Sequence, residues 1–134
     1  MEGNPLKIKT TTGQQAVDVT HRVNQQIAQS KIQGGLCLLF VQHTTAALTV
    51  GEVGEGTEED LLDVLKEMIP KIRFRHAHDP SPSHAPAHMI ASILGPSLTL
   101  PVAHGKLALG TWQSVLLIEL DGPRERTIHL QFLK

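Results

Sequence analysis

The stretch GGLCLLFVQHTT, Gly34 to Thr45, is the part of the sequence that decides the fold. It places six consecutive apolar residues, Leu36 to Val41, between a glycine pair and a polar stop. A short apolar run bounded in this way predicts a strand that is buried on both faces. His43 has the same strand parity as Cys37 and Val41, so its side chain is expected to end a row that points into the core.

Strand-type patterns recur on both sides of this run. Apolar runs or apolar–polar alternation predict six further strands: Leu6–Lys9, Ala46–Val50, Leu98–Val102, Leu107–Leu109, Val115–Leu120 and Thr127–Leu133. Val115–Leu120 is the second run that reads as fully buried. The chain is therefore predicted to be mainly β-structured.

The clearest helix is predicted over Thr57–Met68, which carries one apolar stripe and three acidic residues in its first turn. Thr57 and Asp60 have the spacing of a capping box at its start. Thr20 is expected to be the N-cap of a shorter helix.

A third helix is predicted to open near Pro86 and to stop at Gly95-Pro96, after a long loop over Ile72–Ala85. Together these elements predict one α+β domain over residues 1–134, a compact β-rich sandwich with two or three helices.

Composition excludes several classes of protein. With 134 residues the chain has room for one core, and no apolar run reaches the roughly 18 residues of a membrane span. A formal net charge of −1, with no Tyr and one Trp, argues against a nucleic-acid binder. Because Cys37 is the only cysteine and no secretory signal is evident, a cytoplasmic protein without disulfides is expected.

Histidine is the residue type that points to chemistry, since five of the eight histidines lie between His43 and His88. His43, His76, His78 and His88 are candidates for a divalent-metal site built from a strand end, a loop and a helix. Two alternatives stay open. From its own segment His43 is better explained as a core imidazole hydrogen-bonded to a loop carbonyl, and His78 and His84 are also explained as members of a solvated loop.

Two more groups are candidate site residues. Glu52 lies in a glycine-rich turn and is the better candidate for a functional carboxylate, because a helix cap already explains Asp60. A possible binding segment is Gly110-Thr111-Trp112-Gln113, in which Gly lets a ligand approach the backbone, Thr and Gln offer hydrogen bonds, and Trp offers a flat apolar surface. A Trp that fills the core, with its neighbours forming a turn, explains the segment equally well. Cys37 is not expected to be a nucleophile, because an apolar strand would raise its pKa.

Several segments together resemble the YjbQ-like (UPF0047) family. These are Gly35–Thr49 with its HTTAALT motif, the AHMIASILG helix at Ala87–Gly95, Ser97–Val102, the GKLALGTWQ block at Gly105–Gln113, and the turn Asp121–Arg124. The similarity extends over about residues 6 to 134. His84-Ala85-Pro86-Ala87-His88 departs from the family's usual Asn-Ala-Asp-Ala-His, and Gly51 stands where an Asn commonly precedes the glutamate.

The resemblance implies a homotrimer and a secondary thiamine-phosphate synthase, which joins a pyrimidine pyrophosphate to a thiazole phosphate. It implies His43, Glu52, Asp60 and His88 as catalytic residues; Thr44, Thr45, Trp112 and Gln113 as substrate-binding residues; and His43, His76 and His88 as ligands of zinc or magnesium. Arg124 and Arg126 are the basic residues nearest to a diphosphate clamp. A metal-dependent phosphohydrolase and a non-catalytic trimer that binds a metal or anion are the alternatives. In each case the expected partner is a phosphorylated small molecule rather than a nucleic acid or a membrane.

Overall fold

The computed structural model describes residues 1–76 and 81–134, which form two antiparallel sheets and three helices. The strands are β1 Leu6–Lys9, β2 Gln15–Asp18, β3 Gly34–Val41, β4 Ala46–Gly51, β5 Ser97–Ala103, β6 Lys106–Leu107, β7 Ser114–Glu119 and β8 Glu125–Leu133. The helices are α1 Thr20–Ser30, α2 Thr57–Glu67 and α3 His84–Leu94. None of these helices is long and apolar enough to cross a bilayer.

The larger sheet has the strand order β1-β8-β3-β5-β6, and the smaller has the order β2-β7-β4. In the larger sheet, Cys37 on β3 lies between Phe132 on β8 and Leu100 on β5. In the smaller sheet, Ala46 pairs with Glu119 and Gly51 pairs with Ser114, so the two ends of the β4–β7 ladder are well defined.

Two apolar clusters hold these layers together. The first fills the space between the sheets and combines residues of both, such as Leu39 and Leu117, with Ile27 of α1. The second lies on the other face of the smaller sheet, where Ile118 packs with Leu65 of α2 and Ile90 of α3. The predicted α+β sandwich is therefore confirmed, with three helices.

The central strand β3 corrects one expectation. Cys37, Leu39 and Val41 are buried, but Leu36 and Phe40 on the opposite face are 41% and 38% exposed. The prediction of burial on both faces was wrong, because no layer of the described chain covers the outer face of the larger sheet. Val115–Leu120, in contrast, is buried on both sides as predicted, since its strand has a sheet on one face and helices on the other.

The helix starts also differ from expectation. Thr57 is the first residue of α2 rather than its N-cap, Gly56 takes the cap position, and no side chain caps the helix. The capping box predicted for Thr57 and Asp60 is therefore wrong. Thr20 likewise follows the N-cap residue Val19, and its hydroxyl accepts a hydrogen bond from the Val115 N–H.

Two short segments were assigned differently by pattern. Helix α3 begins at His84, inside the segment predicted as loop, and strand β2 was not predicted at all. His84 is buried although the segment directly before it, Ser81-Pro82-Ser83, has the composition of a loop. The packing of α3 against the smaller sheet therefore overrides local composition.

Candidate functional site

Three imidazole rings converge beside the start of α3. The Nε2 atom of His84 lies 3.2 Å from the Nε2 atom of His76 and 3.3 Å from that of His88. One ligand-type nitrogen from each of the three rings lies within 4.8 Å of the others. These three residues are called the histidine cluster below.

The positions of the rings follow from the local structure. His84 and His88 are four residues apart on α3, and residues at this spacing lie on the same face of a helix, one turn apart. His76 approaches from the segment that follows α2 and stacks on the His84 ring, with centroids 5.1 Å apart. The buried residues Ala87, Ile90 and Ala91 fix α3 against the smaller sheet, so two of the three rings project from a packed element.

Asp121 orients the central ring. Its Oδ2 atom lies 3.1 Å from Nδ1 of His84. A carboxylate only accepts hydrogen bonds, so Nδ1 of His84 is the protonated nitrogen and donates to Asp121. The Nε2 lone pair of His84 is thereby directed at the other two rings, an arrangement typical of metal-binding histidines. Arg124 donates to the same Oδ2 atom at 3.2 Å and to the Asp121 carbonyl at 2.7 Å.

A buried ion pair lies directly behind Asp121. Arg126 and Glu119, which are 2% and 0% exposed, form a two-point contact through the Nε and Nη2 atoms of the arginine. Arg126 also donates to the carbonyl and the hydroxyl of Thr45, and Glu119 accepts hydrogen bonds from the Thr10 hydroxyl and the Asp121 N–H. These hydrogen bonds connect Thr45, the residue directly before β4, to the turn after β7 that carries Asp121.

The network also sets the charge state of Glu119. Burial alone would raise the pKa of this carboxyl. The hydrogen bonds from Arg126, Thr10 and the Asp121 N–H, together with the Arg126 charge, outweigh burial and hold the pKa below its ordinary value. Glu119 is therefore the ionised partner of a buried arginine.

Gly122 is required by the close packing of this turn. A Cβ atom at this position would lie 2.6 Å from the Thr12 carbonyl oxygen and 2.8 Å from Cγ of Glu119. Because a side chain would push against both backbone and ion pair, the Asp-Gly sequence is a structural requirement of the site.

His43 lies close by but plays a different part. Its half-buried ring accepts a hydrogen bond at Nε2 from the Thr127 N–H, 3.2 Å away. Burial, and then the Arg126 charge, lower its pKa, so the neutral ring is favoured. With Nε2 acting as acceptor, the proton of the neutral ring is on Nδ1. The partner is a backbone amide rather than the carbonyl expected from the sequence.

An open cleft of about 360 Å³ joins His43 to the histidine cluster. It is called the histidine cleft here, and it is lined by Gln42, His43, Thr44, Thr45, His84, His88, Asp121, Arg124 and Arg126. Of the two described arginines that line the cleft, Arg124 is exposed, with 54% of its side chain accessible, whereas Arg126 is committed to Glu119. A clamp for an anionic group thus has one arginine rather than two.

The donor set fits a zinc-type ion. Tetrahedral zinc with Zn–N distances of about 2.0–2.1 Å requires ligand nitrogens about 3.3–3.4 Å apart. The two His84 separations of 3.2 and 3.3 Å agree with this edge length, and all three ligand nitrogens lie within 4.8 Å of one another. Three neutral imidazoles favour zinc and related transition metals, whereas magnesium prefers oxygen ligands. Of the two metals expected from the sequence, zinc is the better match.

The predicted residues divide between two places. The structure brings His76 and His88 together with His84, and His43, Thr44 and Thr45 line the adjoining cleft. His43 is not among the converging nitrogens, and the Thr45 hydroxyl accepts from Arg126 inside the buried network. His78 lies outside the described residues.

The other four predicted residues lie elsewhere in the chain. Glu52 and Asp60 are exposed on the loop after β4 and the first turn of α2, and Trp112 is 74% exposed beside the exposed Gln113. Glu52 follows Gly51 and Gln113 precedes Ser114, which are paired at the far end of the β4–β7 ladder. With six-residue strands, this end is roughly 17 Å from Ala46 and the histidine cleft.

Three residues of the site were missed by pattern. His84 was assigned to a solvated loop, although the spacing of His84 and His88 on one helix face was the available signal. Glu119 reads as one polar residue in an apolar strand, and Asp121 as an ordinary turn residue, so neither carries a local signal. Cys37 behaves as expected: it is buried, and burial raises its pKa to about 11.

Comparison with other proteins gives a consistent assignment. Residues 4–134 match the sequence model of the family described as UPF0047 protein YjbQ-like. A UPF0047 protein of Archaeoglobus fulgidus is 38% identical over 128 residues, which are 96% of this chain and 98% of the relative.

Two solved structures share the fold. A hypothetical protein from Aeropyrum pernix K1 superimposes with a TM-score of 0.90 at 37% identity, covering 99% of this chain and 98% of the other. A YbjQ-like protein of unknown function from Sulfolobus solfataricus P2 gives a TM-score of 0.87 at 40% identity, covering 95% and 92%.

Proposed function

The chain belongs to the YjbQ-like UPF0047 family, and we propose that it is a metal-dependent enzyme that acts on a phosphorylated small molecule. The observation that carries this proposal is the convergence of three imidazole nitrogens on the wall of an open cleft. His76, His84 and His88 would hold the ion. A zinc-type ion with three protein ligands supplies Lewis acidity at a remaining open position.

The chain's own residues supply the rest of the site. Asp121 holds the proton on Nδ1 of His84 and so keeps Nε2 available as a ligand atom. Arg124, the Nδ1–H of His43 and the exposed Thr44 hydroxyl are the donors for phosphate oxygens. The ion pair of Arg126 and Glu119 holds the Asp121 turn next to Thr45 at the start of β4.

The reaction favoured by the family resemblance is transfer. A thiazole phosphate would displace pyrophosphate from a pyrimidine pyrophosphate, giving thiamine phosphate. The departing anion needs charge stabilisation more than covalent help, and Arg124 and His43 can donate to it. Glu52, Asp60, Trp112 and Gln113 lie outside the cleft of one chain, so a role for them in this reaction would require a second subunit.

Hydrolysis of a phosphate ester is the second candidate. It needs one organic substrate instead of two, and water takes the place of the thiazole phosphate. The openness of the histidine cleft to solvent favours it. The two reactions differ in their products, because transfer releases pyrophosphate and hydrolysis of a monoester releases inorganic phosphate.

The first experiment measures metal content. Purified wild type is expected to retain close to one equivalent of zinc, and His84→Ala and His88→Ala are expected to lose it. His21→Ala is the matched control, since His21 is exposed on α1 away from the cleft. Zinc-loaded wild type is then incubated with the thiazole phosphate alone, which is a monoester, and with the thiazole phosphate and the pyrimidine pyrophosphate together. Inorganic phosphate, pyrophosphate and thiamine phosphate are measured in both mixtures. Equal zinc content in all four proteins would contradict the proposal.

A homotrimer and a cytoplasmic location complete the proposal. The exposed side chains of Leu36 and Leu133, which pair across β3 and β8 on the outer face of the larger sheet, mark the surface that a trimer interface would cover. Light scattering of wild type and Leu36→Glu tests this, because a charged residue within the interface would lower the mass of the assembly. The single buried cysteine supports a reducing compartment.

A further inference from the structure

A second cavity adjoins the histidine cleft. It has a volume of about 450 Å³ and is called the apolar cavity here. Its apolar wall consists of Phe40, Val41, Ala46, Ala91 and Pro96. Among the described residues, its lining contains no Asp, Glu, Lys or Arg, whereas Asp121, Arg124 and Arg126 line the histidine cleft.

The two cavities share a wall. Gln42, His43 and Thr44 line both of them, so this segment separates a charged compartment from an apolar one. Helix α3 gives the second link. His88 lines the cleft and Ser92, four residues later, lines the apolar cavity, so the two lie about 6 Å apart along the helix axis.

The volume and lining match those of a small-molecule site. Such sites enclose about 300–1,000 Å³ and combine apolar walls with a few polar groups that fix orientation. Phe40 and Pro96 both line the cavity, and their flat apolar side chains suit a planar ring. The Ser92 hydroxyl donates to the His88 carbonyl, 3.0 Å away, and so does not present an unsatisfied donor to the cavity.

We propose that the apolar cavity binds the organic moiety of the substrate, so that this protein acts on phosphate esters of planar, uncharged ring compounds. The inference rests on the proposed function, since it places the phosphate in the histidine cleft. A ligand of this kind would cross the Gln42–Thr44 segment, with its charged end beside His88 and its ring against Phe40. Substrates made only of phosphate would use half of the site.

The test compares inorganic phosphate with phenyl phosphate on zinc-loaded protein. Burial of an aromatic ring is worth about 1.5–3 kcal/mol, so phenyl phosphate is expected to bind wild type roughly 10- to 100-fold more tightly. Isothermal titration calorimetry gives both dissociation constants. Ser92→Leu, which fills the apolar cavity, is expected to bring phenyl phosphate down to the affinity of inorganic phosphate and to leave inorganic phosphate unaffected.

Two further variants keep the test informative. Phe40→Ala removes the ring face and is expected to reduce the preference for phenyl phosphate several-fold. Ser30→Leu is the matched control, because the Ser30 hydroxyl also donates to a carbonyl of its own helix, that of Ile27, but lines neither cavity. Ser30→Leu is expected to retain the full wild-type preference.

The outcomes separate the two proposals. If wild type binds both ligands equally, or if Ser92→Leu keeps the preference for phenyl phosphate, the apolar cavity does not hold the ring and this inference is overturned. The metal and phosphate site would then still stand. If zinc-loaded wild type binds neither ligand, the proposed function fails and this inference fails with it.

Discussion

At one end of the β4–β7 ladder, Thr45 and Asp121 belong to a continuous set of buried and half-buried polar contacts that reaches the histidine cluster. At the other end, Glu52 and Gln113 lie on exposed loops. Both ends are rich in polar residues, and both contributed site residues to the sequence-based prediction.

The difference lies in what the backbone does at each end. The turn after β7 folds back on itself, so that Asp121 faces α3 while its N–H donates to Glu119. The loop after β4 leads away into α2, and its polar groups bond locally: the N–H and the hydroxyl of Thr57 both donate to the Gly54 carbonyl. A polar motif becomes a site when separate elements converge on it. Among the described residues of one chain, such convergence occurs at the end of the ladder that holds Thr45 and Asp121 and not at the end that holds Glu52 and Gln113.

The largest expected effect concerns the ion pair. Glu119→Gln leaves the charge of Arg126 buried without its partner, and removing one member of a buried pair costs about 3–5 kcal/mol. Glu52→Gln at the far end is expected to change the free energy of unfolding by less than about 0.5 kcal/mol. Urea unfolding at pH 7 measures both. If both variants lost a similar amount of unfolding free energy, the two ends of the ladder would not differ in their importance for stability.

The next effect concerns metal affinity. Asp121→Asn removes the carboxylate that holds the His84 tautomer, and the loss of such a partner weakens metal binding about 10- to 100-fold. Asp60→Asn, an exposed change in the first turn of α2, is the control and is expected to leave zinc affinity unchanged. Competition with a chromophoric chelator gives both constants. An unchanged affinity in Asp121→Asn would mean that His84 is held by packing alone.

A smaller effect is the pH dependence contributed by His43. Its folded-state pKa is lowered, first by burial and then by Arg126, with Arg124 and His129 acting in the same direction and Glu119 opposing them. The favourable contribution of the neutral ring is therefore present above the unfolded-state pKa, about 6.5, and is lost as the pH falls through the lower folded-state pKa.

The measurement is the difference in unfolding free energy between metal-free wild type and His43→Asn, taken from pH 8 to pH 5. This difference is expected to shrink toward acid pH. Gln25→Asn, an exposed change on α1 that removes no titratable group, is expected to show a constant difference. A wild-type advantage that grows toward pH 5 would mean that His43 gains a favourable charge instead of losing one.

The smallest expected effect is on fluorescence. Trp112 is the only tryptophan and is 74% exposed at the far end of the ladder. Zinc binding at the histidine cluster is expected to leave its emission maximum unchanged, as long as the two ends are separate. A clear shift on zinc addition, absent in His84→Ala, would place Trp112 of another subunit beside the cleft and join the two ends across an interface.

Much of the fold could be predicted because its signals are local. In β8, Ile128, Leu130 and Phe132 alternate with polar residues, and the inward-facing row is read directly from the period. Strand β2 was missed because Gln15–Asp18 has four residues, too few to show a period, and among the described strands it pairs with β7 alone. Its strand character comes from its partner and not from its own residues.

The site was harder to predict, because its central contacts link distant parts of the chain. Asp121 is 37 residues from His84, and no spacing rule connects a turn carboxylate to a helix-start imidazole. Arg126 and Thr45 are 81 residues apart. The number of histidines pointed to a histidine cluster, but the sequence did not show which of them belong to it. The packing of α3 on the smaller sheet brings His84 into the cluster and leaves His43 outside it.

The histidine cluster has a consequence for how this protein survives in a cell. The three rings come from two separate pieces of chain, so an ion bound to all of them favours the folded state through mass action. At a free zinc concentration 100 times the dissociation constant, that linkage adds about 2.7 kcal/mol to the stability of the fold. Protein abundance would then follow zinc supply, since molecules without the ion would unfold and be degraded more often.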